Sequence, residues 1–150
     1  MTQLEREAIM PRISGIQKNM QRLRELGKLP FNEFQAEDPF ALAQHHLRLT
    51  LEGIFHIGAH ILSRLPGERS VEYSGIAKNL GDANIVDKKF AEEKLVPMAK
   101  MRNILVHHYA DIDPKRIYEM INQHLGDVET FLAAVARVVE HPEQFGLSVE

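Results

Sequence analysis

The sequence predicts an all-α fold, an antiparallel up-and-down bundle of four to five helices, on three observations. Apolar residues recur at helical spacing in several long segments. Those segments open at Asp-Pro pairs and close at Gly or Pro, with short connections between them. No alternating strand pattern, internal repeat or low-complexity tract interrupts them. With 150 residues, the chain can bury one core but hardly two, so residues 1–150 read as a single domain.

Ile9, Ile13, Ile16, Met20 and Leu23 step by four, three, four and three, which predicts a first amphipathic helix ended by Gly27 and Pro30. Residues 28–37 read as a linker pinned by Leu29, Phe31 and Phe34. Asp38 as N-cap and Pro39 at the first helical position open a second helix toward Leu65. Its seam is Leu47, Leu51, Ile54, Gly58, Ile61 and Leu65, and Pro66-Gly67 stops it. Ser74 to Leu80 reads as a short helix ended by Gly81. Asp87 is expected to cap a long third helix reaching at least Leu105. Asp113-Pro114 opens the last helical stretch, interrupted at Gly126-Asp127 and ending near Val139, before Pro142.

The chain has no cysteine, which excludes disulfides, iron–sulfur clusters and thiolate zinc sites. It has no signal-peptide-like start and no apolar run near the ~20 residues of a membrane span. A cytoplasmic protein without membrane contact is expected. The net charge of −3 gives no global basic footprint for nucleic acid. Residues 1–30 carry six Lys/Arg against three Glu, and residues 87–108 carry five against three acids, while residues 116–150 hold two Arg against six acids. A basic front and an acidic back could steer a polyanion; ordinary scatter fits the same counts.

The chemistry concentrates in Met101-Arg102-Asn103-Ile104-Leu105-Val106-His107-His108-Tyr109. On an ideal helix of ~100° per residue, Arg102 and Tyr109 share the apolar arc of Leu95, Met98, Met101 and Leu105. A guanidinium there needs a carboxylate from another helix, an outward snorkel, or a ligand. His107 points roughly opposite Arg102, so the two act together only if the helix ends near Val106 or a second protomer completes the site. The approaching Pro114 makes a helix end reasonable. Periodicity alone leaves these readings open, together with a structural helix-end histidine and a core phenol for Tyr109.

Arg102-Asn103-x-Leu105-Val106-His107-x-Tyr109 resembles the Arg-x4-6-His signature of the HEPN superfamily. More narrowly, it resembles the Arg-x4-His-x-Tyr form of the HepT-like ribonuclease toxins (DUF86). The approach Asp87-Lys-Lys-Phe-Ala-Glu-Glu-Lys-Leu-Val-Pro-Met-Ala-Lys-Met, the Ile-Asp-Pro exit, the run Leu51-Glu-Gly-Ile-Phe-His-Ile-Gly-Ala-His60 and the Tyr73-to-Ile85 passage carry the likeness across the domain. One departure is His56, where members of the family often carry an acid.

The resemblance implies a HEPN-like bundle and a metal-independent endoribonuclease toxin of a type VII toxin–antitoxin system. It implies Arg102 and His107 as catalytic residues, a homodimer sharing one cleft, and no cofactor. It also implies an MntA-like nucleotidyltransferase antitoxin that uses ATP to transfer AMP to Tyr109. Asn103, His108, His56 and His60 are candidates to line the cleft. The alternative is a non-catalytic helical module that binds a nucleotide or a nucleotidyltransferase. His56 and His60, at i and i+4, match zinc-site spacing, but the run His-Ile-Gly-Ala-His lacks the Glu of a metalloprotease helix, and no metal site is expected. The second helix also has a further non-solvent face, Leu42, His45, Leu49, His56 and His60, which suggests an interface or a partly exposed polar face.

Overall fold

The computed structural model describes every residue except Met1, Glu68 and Arg69, and every remaining side chain except those of Thr2 and Tyr109. In order, the elements are β1 (Thr2–Leu4), α1 (Arg6–Gly27), α2 (Phe31–Phe34), α3 (Glu37–Ser63), α4 (Tyr73–Asp82) and α5 (Lys88–Phe90). A π-helical turn (Ala91–Leu95), α6 (Val96–His107), a 3-10 turn (Tyr109–Asp111), α7 (Pro114–Gln123) and α8 (Leu125–Glu140) follow. A second 3-10 turn (Pro142–Phe145) and β2 (Leu147–Val149) close the chain. The all-α bundle is as the sequence predicts, and its core includes the fully buried rings of Phe34, Phe55 and Phe131. Among the described residues no helix is long and apolar enough to cross a membrane.

The bundle is organised by α3, which is buried on two sides. Leu47, Leu51, Ile54, Gly58 and Ile61 form the expected seam, while Leu65 lies beyond the helix end. Two glycines set the close approaches. A Cβ on Gly53 would stand 2.8 Å from Ile16 Cγ1, and one on Gly58 would stand 2.8 Å from Leu80 Cδ1. Thus α1 and α4 come against α3 where it has no side chain to hold them off. Helices α1 and α3 run antiparallel, with Asn19 bonded to His46 at one end and Glu5 N–H donated to His60 Nε2 (3.1 Å) at the other.

Several local readings need correction. Helix α3 begins at Glu37 with Ala36 at the N-cap, so Asp38 is a first-turn acid facing the helix dipole. Pro39 then takes a position whose N–H has no intrahelical partner anyway. Asp87 stands at an N-cap position but its side chain makes no capping bond. The helix after it is not regular. Pro97 would lose a backbone bond and crowd the carbonyl four residues back, and the chain widens into the π-helical turn just before it. The last stretch breaks at His124, two residues before the expected Gly126. Asp113 does cap α7, accepting from Lys115 N–H at 2.9 Å.

A two-stranded parallel sheet is the largest departure from the sequence reading. Thr2, Gln3 and Leu4 pair with Leu147, Ser148 and Val149. Three residues are too few to display an alternation, yet the pairing buries Leu4 and Leu147 completely and ties the two ends of the chain together. His60 helps to hold β1. A backbone N–H can only donate, so His60 Nε2 is the acceptor and the neutral ring carries its proton on Nδ1. Burial lowers the His60 pKa first; Arg64 and Arg12 push the same way, against Glu5.

Because the folded pKa lies below the ordinary 6.5, this contribution is complete above that value and is lost as pH falls through the folded pKa. Denaturant unfolding of wild type is therefore expected to show a loss of stability between pH 7 and 5. Part of that loss should vanish in His60→Gln, whose side-chain oxygen accepts the same bond without titrating. An identical pH dependence in both proteins would contradict the assignment.

Candidate functional site

The end of α6 faces the segment that leads into α4. Arg102 sits in the last turns of α6 with its side chain 22% exposed. Its Nε and Nη2 both donate to Glu52 Oε2, at 3.0 and 2.9 Å, and Nη1 donates to Asn103 Oδ1 at 3.3 Å. Its Cζ lies 4.5 Å from the centre of the Tyr73 ring. That ring is stacked on Phe55 at 5.1 Å, so the phenol fills the space between a core aromatic and the guanidinium. The Tyr73 hydroxyl reaches His56 Nε2 at 3.2 Å. The expense of a cation on an apolar arc is thus met from α3, by a carboxylate, and from α4, by an aromatic face.

Glu52 is shared. Its Oε1 accepts from Arg48 Nη1 at 2.8 Å while Oε2 holds Arg102. One carboxylate against two guanidinium groups leaves this trio with one net positive charge. Of the five N–H donors of a guanidinium, three of Arg102 are engaged and two remain. The pairing fixes the direction of Arg102 without exhausting it.

His107 is the final residue of α6 and is exposed. An ideal helix would set it ~140° from Arg102. The helix stops there, with His108 at φ −132° and ψ 32°. Arg102, Asn103 and His107 nonetheless line one open groove, whose opposite wall is Val71, Glu72, Tyr73 and Ser74. The end of the helix, one of the two conditions set by the sequence, is met within a single chain. Among the described residues the His107 imidazole makes no hydrogen bond.

Of the other candidates, Asn103 lies in the groove and His108 does not. His56 stands behind Tyr73, and His60 a further turn along α3 beside Glu5, between β1 and α1, so neither lines the groove. Burial lowers the His56 pKa first; Arg12 and Arg102 push the same way, against Glu52. Each of these two imidazoles uses Nε2 on a protein partner. The Tyr109 side chain lies outside the described residues. Sequence reasoning missed Glu52, Arg48 and Tyr73. Position 56, where members of the family often carry an acid, is a histidine here, and the carboxylate that pairs with Arg102 stands one turn earlier, at Glu52. The signal was the i, i+4 series Arg48, Glu52, His56, His60, whose alternating chemistry marks a face that is neither core nor plain surface.

The family model described as "Ribonuclease HepT-like" matches residues 16–135. The chain is similar to a tRNA nuclease HepT of Aphanizomenon flos-aquae (strain 2012/KM1/D3), 26% identical over 123 residues, covering 81% of this chain and 83% of that protein. Among solved structures, a chain of a toxin–antitoxin crystal structure with AMP-PNP superposes with a TM-score of 0.76 at 20% identity, covering 87% of this chain and 98% of that one. YutE of Bacillus subtilis, a cytosolic protein of unknown function, superposes with a TM-score of 0.70 at 22% identity, covering 86% and 91%. At those identities the two structures establish the fold.

The Glu52–Arg102 pair is expected to couple strongly. In a double-mutant cycle with Glu52→Gln and Arg102→Met, read by urea unfolding, the coupling should exceed about 1 kcal/mol, the upper end for exposed pairs. A value near zero would mean that the pair does not hold Arg102 in place.

Proposed function

Because the chain belongs to the HepT-like ribonuclease family, we propose that it cleaves RNA, and that it does so as the nuclease of a toxin–antitoxin pair. The observation that carries the reading is the shared groove of Arg102 and His107. In this reading the RNA 2′-hydroxyl attacks the adjacent phosphorus. The P–O5′ bond breaks, giving a 2′,3′-cyclic phosphate and a free 5′-hydroxyl. One proton leaves the 2′-oxygen and one arrives at the 5′-oxygen. An imidazole, which can accept a proton at one nitrogen and release one, suits both transfers. The two unengaged N–H groups of Arg102 match the non-bridging oxygens, where charge develops. Glu52 and Tyr73 keep the fork pointed at the groove before substrate arrives, so little reorganisation is needed in the transition state.

One chain supplies one imidazole, and two proton transfers in one turnover are served better by two. A homodimer with facing grooves provides the second, and the open, water-exposed shape of the single-chain groove supports it. The partner is a nucleotidyltransferase antitoxin that transfers AMP from ATP to the Tyr109 hydroxyl, two residues beyond His107; the phenol oxygen loses its proton and bonds to the α-phosphorus as the bond to the β-phosphate breaks and pyrophosphate leaves. The AMP phosphate would compete for Arg102 and its base would cover the groove, which is reason enough for inhibition.

Purified protein is expected to cleave RNA in the presence of EDTA, with the products ending in cyclic phosphate. Arg102→Ala and His107→Ala should each lower the rate at least a hundredfold, the scale of losing one positioned donor or proton carrier. Protein carrying AMP on Tyr109 should be inactive. Cleavage that survives both substitutions would place the chemistry elsewhere, and a chain that binds nucleotide or antitoxin but never cuts RNA would be the non-catalytic module.

A further inference from the structure

A second cluster adjoins the groove and is not used by the chemistry above. Arg48, Glu52, His56 and His60 on α3, and Arg64 at its C-cap, stand four residues apart, each just over one turn, ~6 Å, beyond the last. They form a polar ridge inclined to the helix axis. Helix α1 lies antiparallel beside it in a register fixed at three places: Asn19 at His46, Ile16 at Gly53, and Glu5 N–H at His60. Arg12 is one turn before Ile16, which sets it level with His56, one turn after Gly53.

The chemistry of this cluster is that of an anion site. Arg12 is exposed; its Nη1 donates to Ala8 O at 2.8 Å, and no carboxylate pairs with it among the described residues. His60 gives Nε2 to Glu5 N–H, so Nδ1 carries a hydrogen with no acceptor among the described residues. His56 is exposed and ties the cluster to the groove through the Tyr73 hydroxyl, whose ring lies under Arg102. The nearest acids are already committed. Glu52 is held by Arg48 and Arg102, and Glu5 by Arg64 at 3.3 Å. Both imidazoles have lowered pKa values and are neutral near pH 7, leaving Arg12 as the charge; His60 offers its Nδ1–H, and His56 offers the same in the tautomer whose Nε2 accepts from the Tyr73 hydroxyl.

We propose that Arg12, His56 and His60 form a second phosphate subsite, which holds the backbone of single-stranded RNA beside the bond attacked at Arg102 and His107. This rests on the reading of the chain as a ribonuclease. A guanidinium fork with neutral N–H donors suits a phosphodiester monoanion, and continuity through Tyr73 favours a chain of phosphates over an isolated anion. The role is positioning: the subsite fixes which stretch of RNA enters the groove.

The test is the salt dependence of binding to a single-stranded RNA oligonucleotide, by fluorescence anisotropy, in a His107→Ala background that leaves the RNA intact. Each phosphate contact on a single strand contributes about 0.7 to the slope of log K against log salt. Adding Arg12→Ala should reduce the slope by about that amount and weaken binding roughly fivefold at 0.1 M salt, while Arg12→Lys restores the slope. With His107 intact, the loss from Arg12→Ala should fall on KM. Unchanged slope and affinity, with His107→Ala still binding RNA, would overturn the subsite and leave the ribonuclease reading standing. Conversion of a dimer to a monomer by Arg12→Ala in sedimentation would overturn it too, assigning this face to a second copy. Absence of RNA binding by His107→Ala at every salt concentration would end both readings.

Discussion

A guanidinium facing the interior of a helical bundle has to be paired, and the way Arg102 is paired determines how the rest of the site can work. Glu52 takes two of its N–H groups through one oxygen, Asn103 takes a third, and Tyr73 covers a face. A carboxylate bound by one arginine alone would neutralise it. By accepting Arg48 on its other oxygen, Glu52 leaves positive charge in excess. The cation is therefore aimed, partly desolvated and still attractive to an anion, which is the condition for preorganised charge stabilisation.

This arrangement is possible because α3 serves two purposes along its length. Its apolar sides take α1 and α4 at Gly53 and Gly58, and the intervening ridge carries Arg48, Glu52, His56 and His60 between the packed faces. Phe55 links the two functions: fully buried, it is also the platform on which Tyr73 stacks. The site is thus built from helices anchored in the core, and the groove lies where α6 ends and the approach to α4 passes over it.

What was legible in the sequence depended on the range of the interactions. Amphipathic periods such as Ile9 to Leu23 and Leu47 to Ile61 are local, and they located the helices. Asp113-Pro114 is a local cap and was legible for the same reason. The partner of Arg102 lies fifty residues away, and no spacing rule connects positions 52 and 102. The sequence leaves Arg102 a carboxylate from another helix, an outward snorkel or a ligand, and cannot choose Glu52 among them. Ideal helical geometry also separated His107 from Arg102, because the position of a helix end and the path of a neighbouring loop are tertiary facts. The strand pairing of residues 2–4 with 147–149 is the extreme case, a contact between the two ends of the chain made by segments too short to carry a pattern.

The central claim is that Arg102 and His107 address one phosphate. The most direct measurement is an NMR titration of isotopically labelled protein with an oligonucleotide bearing a single 2′-deoxy residue at the cleaved position. The account predicts that the Arg102 Nε–H and the His107 imidazole resonances shift together, along one binding curve. Movement of Arg102 with an unperturbed His107, in a sample that binds the oligonucleotide tightly, would contradict it.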